Sequence, residues 1–108
     1  MSGSFEESIG FGMREAFDDP DRMRLVVSGE LDLAVADMLG DRLRMLRNEN
    51  VHLDLSELEF VDSSGLRALI IALSEAGGRL DIDPQITEPV RRAIELAGLE
   101  SYLWPEDA

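Results

Sequence analysis

The fold of this chain is decided by residues 54–66, which read DLSELEFVDSSGL. Polar and apolar residues alternate where this stretch begins, in His52-Leu53-Asp54-Leu55, as they do in a half-buried strand. The period changes where it ends, because apolar residues then recur at helical spacing, at Leu66, Leu69, Ile70 and Leu73. We therefore predict a strand over residues 51–55, a turn through 62–65, and a helix that continues to about residue 76.

The turn suits the N-terminus of a helix. Asp62 is placed to be the N-cap, where its carboxylate accepts backbone N–H groups that lack a helical partner. Ser63, Ser64 and Gly65 then form the first turn, at the positive end of the helix dipole, where an anion is favourable. Arg67 opposes that dipole, and an anion carried on Ser64 would give it a partner.

The residues alone leave two interpretations of these serines open. Serine and aspartate commonly cap helices, so the turn can be purely structural. Alternatively, a serine beside free N–H groups is a suitable carrier of a phosphate.

The composition indicates a single globular domain. The chain has 108 residues, 44% of them hydrophobic, which is enough for one core. It has no cysteine, which excludes disulfides and thiolate metal sites and fits a cytosolic protein. No stretch approaches the roughly 20 apolar residues that cross a bilayer, and the acidic N-terminus is unlike a signal peptide. We expect a flexible leader over residues 1–8, a domain over 9–104 and a tail over 105–108.

The net charge of the chain limits the classes of partner that it can bind. The formal net charge is −13, and all ten basic residues are arginine. Nucleic acid and anionic lipid surfaces should repel such a chain, so we expect no nucleic-acid binding and no direct insertion into a membrane. A partner with a basic patch is the electrostatic match, although acidity can also serve solubility alone.

Strands and helices alternate along the rest of the chain. Residues 9–17 and 23–27 form a predicted antiparallel hairpin around the turn Asp18-Asp19-Pro20-Asp21. We then predict a helix over 33–47 capped by Asp32, a strand over 80–82, a helix from Thr87-Glu88-Pro89 to Gly98, and a short strand or helical turn over 99–104. The predicted fold is α/β, with a mixed sheet of about four or five strands. An antiparallel hairpin precedes parallel strand–helix units, and the helices pack against the sheet.

The predicted topology brings two acidic loops together. Strands joined through a helix pair in parallel, so the strands over 23–27 and 51–55 should end at the same edge of the sheet. One loop contains Glu30 and Asp32, and the other contains Asp62. Ligands and partners of open α/β sheets bind at that edge, which makes it the predicted site.

The sequence offers little for enzyme chemistry. The single histidine, His52, lies in the predicted strand before the turn, and no Gly-x-Ser-x-Gly motif is present. Asp32, Asp54 and Asp62 can in principle bind a hard cation, but carboxylates alone are a weak metal signal. No Walker or dinucleotide-binding glycine motif occurs. We therefore predict a binding protein without a cofactor, a metal or a turnover of its own.

At this point the residues carry a family resemblance. The motifs GELD at 29–32, LDLS at 53–56 and FVDSSGL at 60–66 resemble the STAS domain of bacterial anti-sigma factor antagonists. The resemblance continues through Gly77-Gly78, Val90-Arg91-Arg92 and Leu96-Ala97-Gly98-Leu99, and covers roughly residues 10–104.

The resemblance implies a phosphorylation switch. In such antagonists the serine directly before the glycine is phosphorylated by the anti-sigma factor, which has a histidine-kinase-like ATPase fold. That serine matches Ser64, and Ser63 is the fallback acceptor. The unphosphorylated antagonist captures the anti-sigma factor and frees the sigma factor, and a metal-dependent serine phosphatase resets it.

The resemblance also places Asp32 in the partner-facing surface. We expect the neighbours of Ser64 to bind the partner with it, namely Glu30, Asp62, Ser63, Gly65 and Arg67. A phosphate adds about −1.5 to −2 charges beside these acids, so repulsion and desolvation would weaken a docked interface. Arg67 stands where the family commonly has a small residue, so it can alter partner choice.

Ile71 is a further expected partner contact. On a helical wheel it falls opposite the Leu66 stripe, where it is either an apolar anchor or an incidental exposed residue. Relatives in stressosome scaffolds and lipid-transport complexes share the fold, so these roles are the alternative functions. The paired serines favour the antagonist, which we expect in the cytoplasm as a monomer or weak dimer.

Overall fold

The computed structural model describes residues 5–8, of which only the backbone is described, and residues 10–105. In chain order its elements are β1 (Phe5–Ser8), β2 (Phe11–Asp19), β3 (Arg22–Leu31), α1 (Leu33–Met45), β4 (Val51–Val61), α2 (Ser63–Glu75), β5 (Leu80–Ile82), α3 (Glu88–Ala97) and α4 (Glu100–Leu103). In this part of the chain the five strands form one sheet in the order β1-β2-β3-β4-β5. The β1–β2 and β2–β3 pairs are antiparallel, and the β3–β4 and β4–β5 pairs are parallel. The predicted α/β fold with a mixed sheet is confirmed.

One apolar cluster holds the sheet and the helices together. Its fully buried members include Leu25 of β3, Leu53 of β4, Leu39 of α1, Leu69 of α2 and Ile94 of α3. Burial of each such side chain stabilises the fold by about 1.5–3 kcal/mol. Since α1 and α2 both contribute to this cluster and follow parallel strands, their N-termini lie at the same edge of the sheet.

The expected flexible leader is wrong for residues 5–8. Phe5–Ser8 forms β1, which pairs antiparallel with β2 from Phe5 opposite Arg14 to Ser8 opposite Phe11. Its residues, FEES, do not alternate between apolar and polar, so no strand was predicted there. Residues 1–4 of the expected leader and residues 106–108 of the expected tail lie outside the described residues.

β4 is longer than predicted, because it continues past Leu55 to Val61. Its register against β3 shifts twice, between Val26 and Ser28 and between Gly29 and Glu30 of β3. Each shift places one extra residue in β4, as a β-bulge does. The buried residues of this part are therefore spaced by three, at Leu55, Leu58 and Val61. The alternation that marks a strand is lost there, although the strand itself continues.

The final segment is a helical turn, one of the two conformations predicted for residues 99–104. It is α4, and the indole Nε1 of Trp104 directly after it donates a hydrogen bond of 2.8 Å to the carbonyl oxygen of Ile82. This bond anchors the C-terminal segment on β5.

Candidate functional site

The two acidic loops meet as predicted. β3 and β4 end side by side, with Leu31 opposite Val61, and the backbone N–H of Asp62 donates a 3.1 Å hydrogen bond to the carbonyl oxygen of Leu31. The loop of Asp32 and the helix start at Ser63 therefore lie next to each other. We call this place the α1–α2 edge, and define it by Glu30, Asp32, Asp62, Ser63 and Ser64.

Asp62 joins the two helix starts. Its Oδ1 accepts a 3.0 Å hydrogen bond from the backbone N–H of Gly65, which makes it the N-cap of α2. Its Oδ2 accepts a 3.2 Å hydrogen bond from the backbone N–H of Leu33, the first residue of α1. Asp32 caps α1 through the N–H of Ala34 at 3.0 Å. Both predicted N-caps are confirmed, and the second bond of Asp62 locks the two helix N-termini to one carboxylate.

Gly65 seats α2 on the end of β3. A Cβ at this position would lie 2.7 Å from both the Cγ and the carbonyl oxygen of Leu31, and 2.8 Å from Cγ2 of Val61. Only glycine allows the helix to approach this closely, and this approach fixes where the preceding Ser64 stands. Gly65 is buried and positions the start of α2, and its expected contact with a partner stays a prediction.

The two serines differ in exposure. Ser63 is exposed, whereas Ser64 is half-buried. Both lie in the first turn of α2, where backbone N–H groups without a helical partner and the helix dipole favour an added anion. A phosphate on either residue would therefore be compatible with the helix.

The surface around the serines is acidic. Glu30 is exposed, while Asp32 and Asp62 are half-buried. Within residues 10–105 none of these three carboxylates forms an ion pair, although further down the same sheet Glu57 pairs with Arg14 and Asp54 with Arg24. Cations of the described residues therefore leave the negative charge of the α1–α2 edge without an ion pair.

Arg67 and Ile71 lie on the exposed side of α2. Arg67 is exposed, one helical turn after Ser64, and makes no ion pair with another described side chain. Ile71 is 40% exposed and lines a groove of about 140 Å³ between α1 and α2, beside Gly40 and Ala68. The predicted outward direction of Ile71 is confirmed, and its part in binding stays a prediction.

Two exposed apolar side chains at the α1–α2 edge were not predicted from the sequence. Leu33 is 75% exposed at the first position of α1, and Phe60 is 47% exposed near the end of β4. Leu33 lies outside the apolar stripe of its helix, which was a usable signal. Phe60 was missed because it lies beyond Leu55, where the predicted strand ended.

His52 lies at the opposite end of β4. Its Nδ1 is 3.1 Å from Asp81 Oδ1 and its Nε2 is 2.9 Å from Asp83 Oδ2. Burial disfavours the charged imidazolium, but the two carboxylates outweigh that effect and raise the pKa of His52 above its ordinary value. Its contacts are consistent with the structural role predicted for it.

The aspartates considered as cation ligands are engaged elsewhere. Burial would raise the pKa of Asp54, but hydrogen bonds from Ser56 and Arg24 lower it below its ordinary value, so the carboxylate is charged and paired. Asp32 and Asp62 cap helices. Among the described residues no group of three or more histidine, aspartate or glutamate side chains is arranged to hold a metal ion.

None of the helices described in residues 10–105 is long and apolar enough to cross a membrane.

Comparison with known proteins gives a consistent result. The family model described as "Mlab, STAS domain" matches residues 16–105. An anti-sigma factor antagonist from Mycobacterium paratuberculosis superposes with a TM-score of 0.72 and 24% identity, over 87% of this chain and 83% of that one. The anti-sigma factor antagonist SpoIIAA in its unphosphorylated form gives 0.67 and 17%, over 81% of each chain. The Bacillus cell fate determinant SpoIIAA in its phosphorylated form gives 0.60 and 16%, over 81% and 84%. No curated protein sequence matches the chain.

Proposed function

Because this chain belongs to the STAS domain family, we propose that it is an anti-sigma factor antagonist controlled by phosphorylation of Ser64. The unphosphorylated protein binds an anti-sigma factor with a histidine-kinase-like ATPase fold, and sigma-factor-dependent transcription follows. Phosphorylation of Ser64 by that partner releases it, and a serine phosphatase restores the binding form. The fold is shared with structures that bear this description, and the function is inferred from the site.

The observation that carries the proposal is the position of Ser64 in the first turn of α2, whose cap Asp62 also binds the first residue of α1. A phosphate there adds about −1.5 to −2 charges beside Asp62 and the loop of Asp32. The first turn of α2 tolerates the charge, because free N–H groups and the dipole favour an anion by about 0.3–1 kcal/mol. A docked partner does not tolerate it, since the added charge has to lose its water within an already acidic interface. The modification thus changes binding and leaves the fold intact.

The charge of the surface supports a basic partner. The net charge of −13 and the acidic α1–α2 edge favour a protein that presents arginine or lysine there. Arg67 is the one basic residue in the first two turns of α2, and it lies within reach of a phosphate on Ser64, at the i,i+3 spacing. We propose that it partly neutralises that phosphate and so sets how strongly phosphorylation weakens binding.

We propose that the protein has no turnover of its own and that its kinase partner supplies the chemistry. His52, the only imidazole, precedes Ser64 by the length of β4, roughly 30 Å at about 3.3 Å per residue. It therefore cannot act as a base for Ser64. The proposed role places the protein in the cytoplasm, as a monomer or weak dimer.

The test is incubation of the purified protein with each histidine-kinase-fold anti-sigma factor of the source organism and ATP, followed by mass spectrometry. We expect one phosphate on Ser64, lost in Ser64→Ala and retained in Ser63→Ala. Phosphate on Ser63 alone would move the switch by one residue. An anti-sigma factor that binds but phosphorylates neither serine would overturn the switch and leave the antagonist role. Absence of both binding and phosphorylation with every such factor would favour the alternative, a scaffold or regulatory subunit of a stressosome or lipid-transport complex.

A further inference from the structure

Two large apolar side chains are exposed to solvent beside the acidic α1–α2 edge. We propose that Leu33 and Phe60 are the apolar anchors of the partner surface, and that they enter an apolar patch of the anti-sigma factor ringed by arginine or lysine. This inference rests on the proposed function and deepens it, because it assigns the binding energy to residues other than the phosphorylated serine and its neighbouring acids.

Leu33 is held in place by the same carboxylate that caps α2. Its backbone N–H donates to Asp62 Oδ2, while Val35, Ala36 and Leu39 provide the buried face of α1. The Leu33 side chain is three-quarters exposed and is not part of the core. Because the backbone of Leu33 is already fixed, only the rotamers of its side chain have to be ordered when a partner covers it.

Phe60 reaches the same edge from β4. Its neighbour Val61 belongs to the core, so Phe60 does not point into it, and the strand partner of Phe60 is Glu30. Only one residue, Val61, separates Phe60 from Asp62. Leu33 is therefore joined to Asp62 by a hydrogen bond, and Phe60 lies two residues before Asp62 in the chain.

Acidic residues adjoin both members of this pair along the chain or across the sheet. Glu30 is the strand partner of Phe60, Glu59 precedes it, and Asp32 precedes Leu33. None of these carboxylates is neutralised by a cation among the described residues. An apolar centre with a charged rim is the usual arrangement of a protein–protein interface, in which buried anchors carry most of the energy. Because the rim on this chain is negatively charged, the partner must present a positively charged rim.

The two parts of the surface should act on different rate constants. Rim charges steer the encounter, so they govern the association rate and its salt dependence. Buried anchors govern the dissociation rate. A residue that merely supports the fold would not separate these two quantities.

The test uses two matched pairs of variants. Leu33→Gln is compared with Leu96→Gln, an exposed helix position in α3, and Phe60→Thr with Phe17→Thr, an exposed strand position in β2. Binding kinetics are measured by surface plasmon resonance against the purified anti-sigma kinase that phosphorylates the protein. Circular dichroism melts verify that all four variants fold.

We expect Leu33→Gln and Phe60→Thr each to raise the dissociation rate by about tenfold with the salt dependence unchanged, whereas Leu96→Gln and Phe17→Thr behave as wild type. Glu30→Gln should instead lower the association rate and its salt dependence. Wild-type binding with no difference between the members of each pair would overturn the anchors and leave the proposed function standing. If wild type binds none of the histidine-kinase-fold anti-sigma factors, the proposed function and the anchors fall together.

Discussion

The substitution Asp62→Ala should destabilise the fold about twice as much as Asp32→Ala. Asp32 accepts one capping hydrogen bond, from Ala34, whereas Asp62 accepts two, from Gly65 of its own helix and Leu33 of the other. Loss of an N-cap typically lowers the free energy of unfolding by about 1 kcal/mol. We therefore expect losses of about 1 kcal/mol for Asp32→Ala and about 2 kcal/mol for Asp62→Ala. A domain stabilised by roughly 5–15 kcal/mol stays folded in both variants.

Asp62→Asn separates the two bonds. Its carbonyl oxygen can still accept from Gly65, but its amide nitrogen cannot accept from the Leu33 N–H, so this variant should fall between wild type and Asp62→Ala. Urea unfolding followed by far-UV circular dichroism and by Trp104 fluorescence gives the free energies, provided that the m-values agree. If Asp62→Ala loses no more than Asp32→Ala, the bond between the two helix starts contributes nothing, and the rigid edge that we describe is wrong.

Three further outcomes follow from the same structure. Gly65→Ala should lower the free energy of unfolding by about 1–3 kcal/mol, because the new Cβ would clash with the carbonyl oxygen of Leu31. Wild-type stability in urea unfolding would contradict this close approach of α2 to the end of β3. The raised pKa of His52 means that the folded state binds this proton more tightly than the unfolded state, so protonation of His52 stabilises the fold. This stabilisation is complete below the unfolded pKa of about 6.5 and is lost as the pH rises through the folded pKa. A pH series of melts should show the loss in wild type and not in His52→Gln. Ile71→Asp should weaken anti-sigma binding more than it weakens folding, as judged by calorimetry and melts on the same sample; an affinity loss explained entirely by unfolding would remove Ile71 from the interface.

The helix starts could be predicted because their signals are local. An N-cap needs only an aspartate and the N–H groups two or three residues later, so the sequence around Asp62 contains everything that the cap of α2 requires. The convergence of the two loops followed from the parallel pairing of β3 and β4, which a strand–helix–strand order imposes. These two inferences placed Ser64 correctly at the edge of the sheet.

The remaining features depend on contacts that are distant in sequence. The hydrogen bond from Leu33 to Asp62 joins residues 29 positions apart, and no local sequence pattern around either residue predicts it. The two bulges of β4 against β3 leave Leu55, Leu58 and Val61 buried at a spacing of three, which breaks the period of two on which strand prediction rests, so the strand around Phe60 was not predicted. β1 pairs with β2 through its backbone, and its sequence, FEES, shows no alternation that would predict this pairing.

The affinity of the anti-sigma factor for the protein before and after phosphorylation of Ser64 tests the central claim most directly. Isothermal calorimetry should show at least about tenfold weaker binding after phosphorylation, with Ser64→Asp between the phosphorylated protein and Ser64→Ala. The free energy of unfolding should stay within about 1 kcal/mol of the unmodified value, because the first turn of α2 accepts the charge. Equal affinities for all three forms would mean that charge at this helix start does not control binding, and the switch would have to be replaced by a constitutive scaffold.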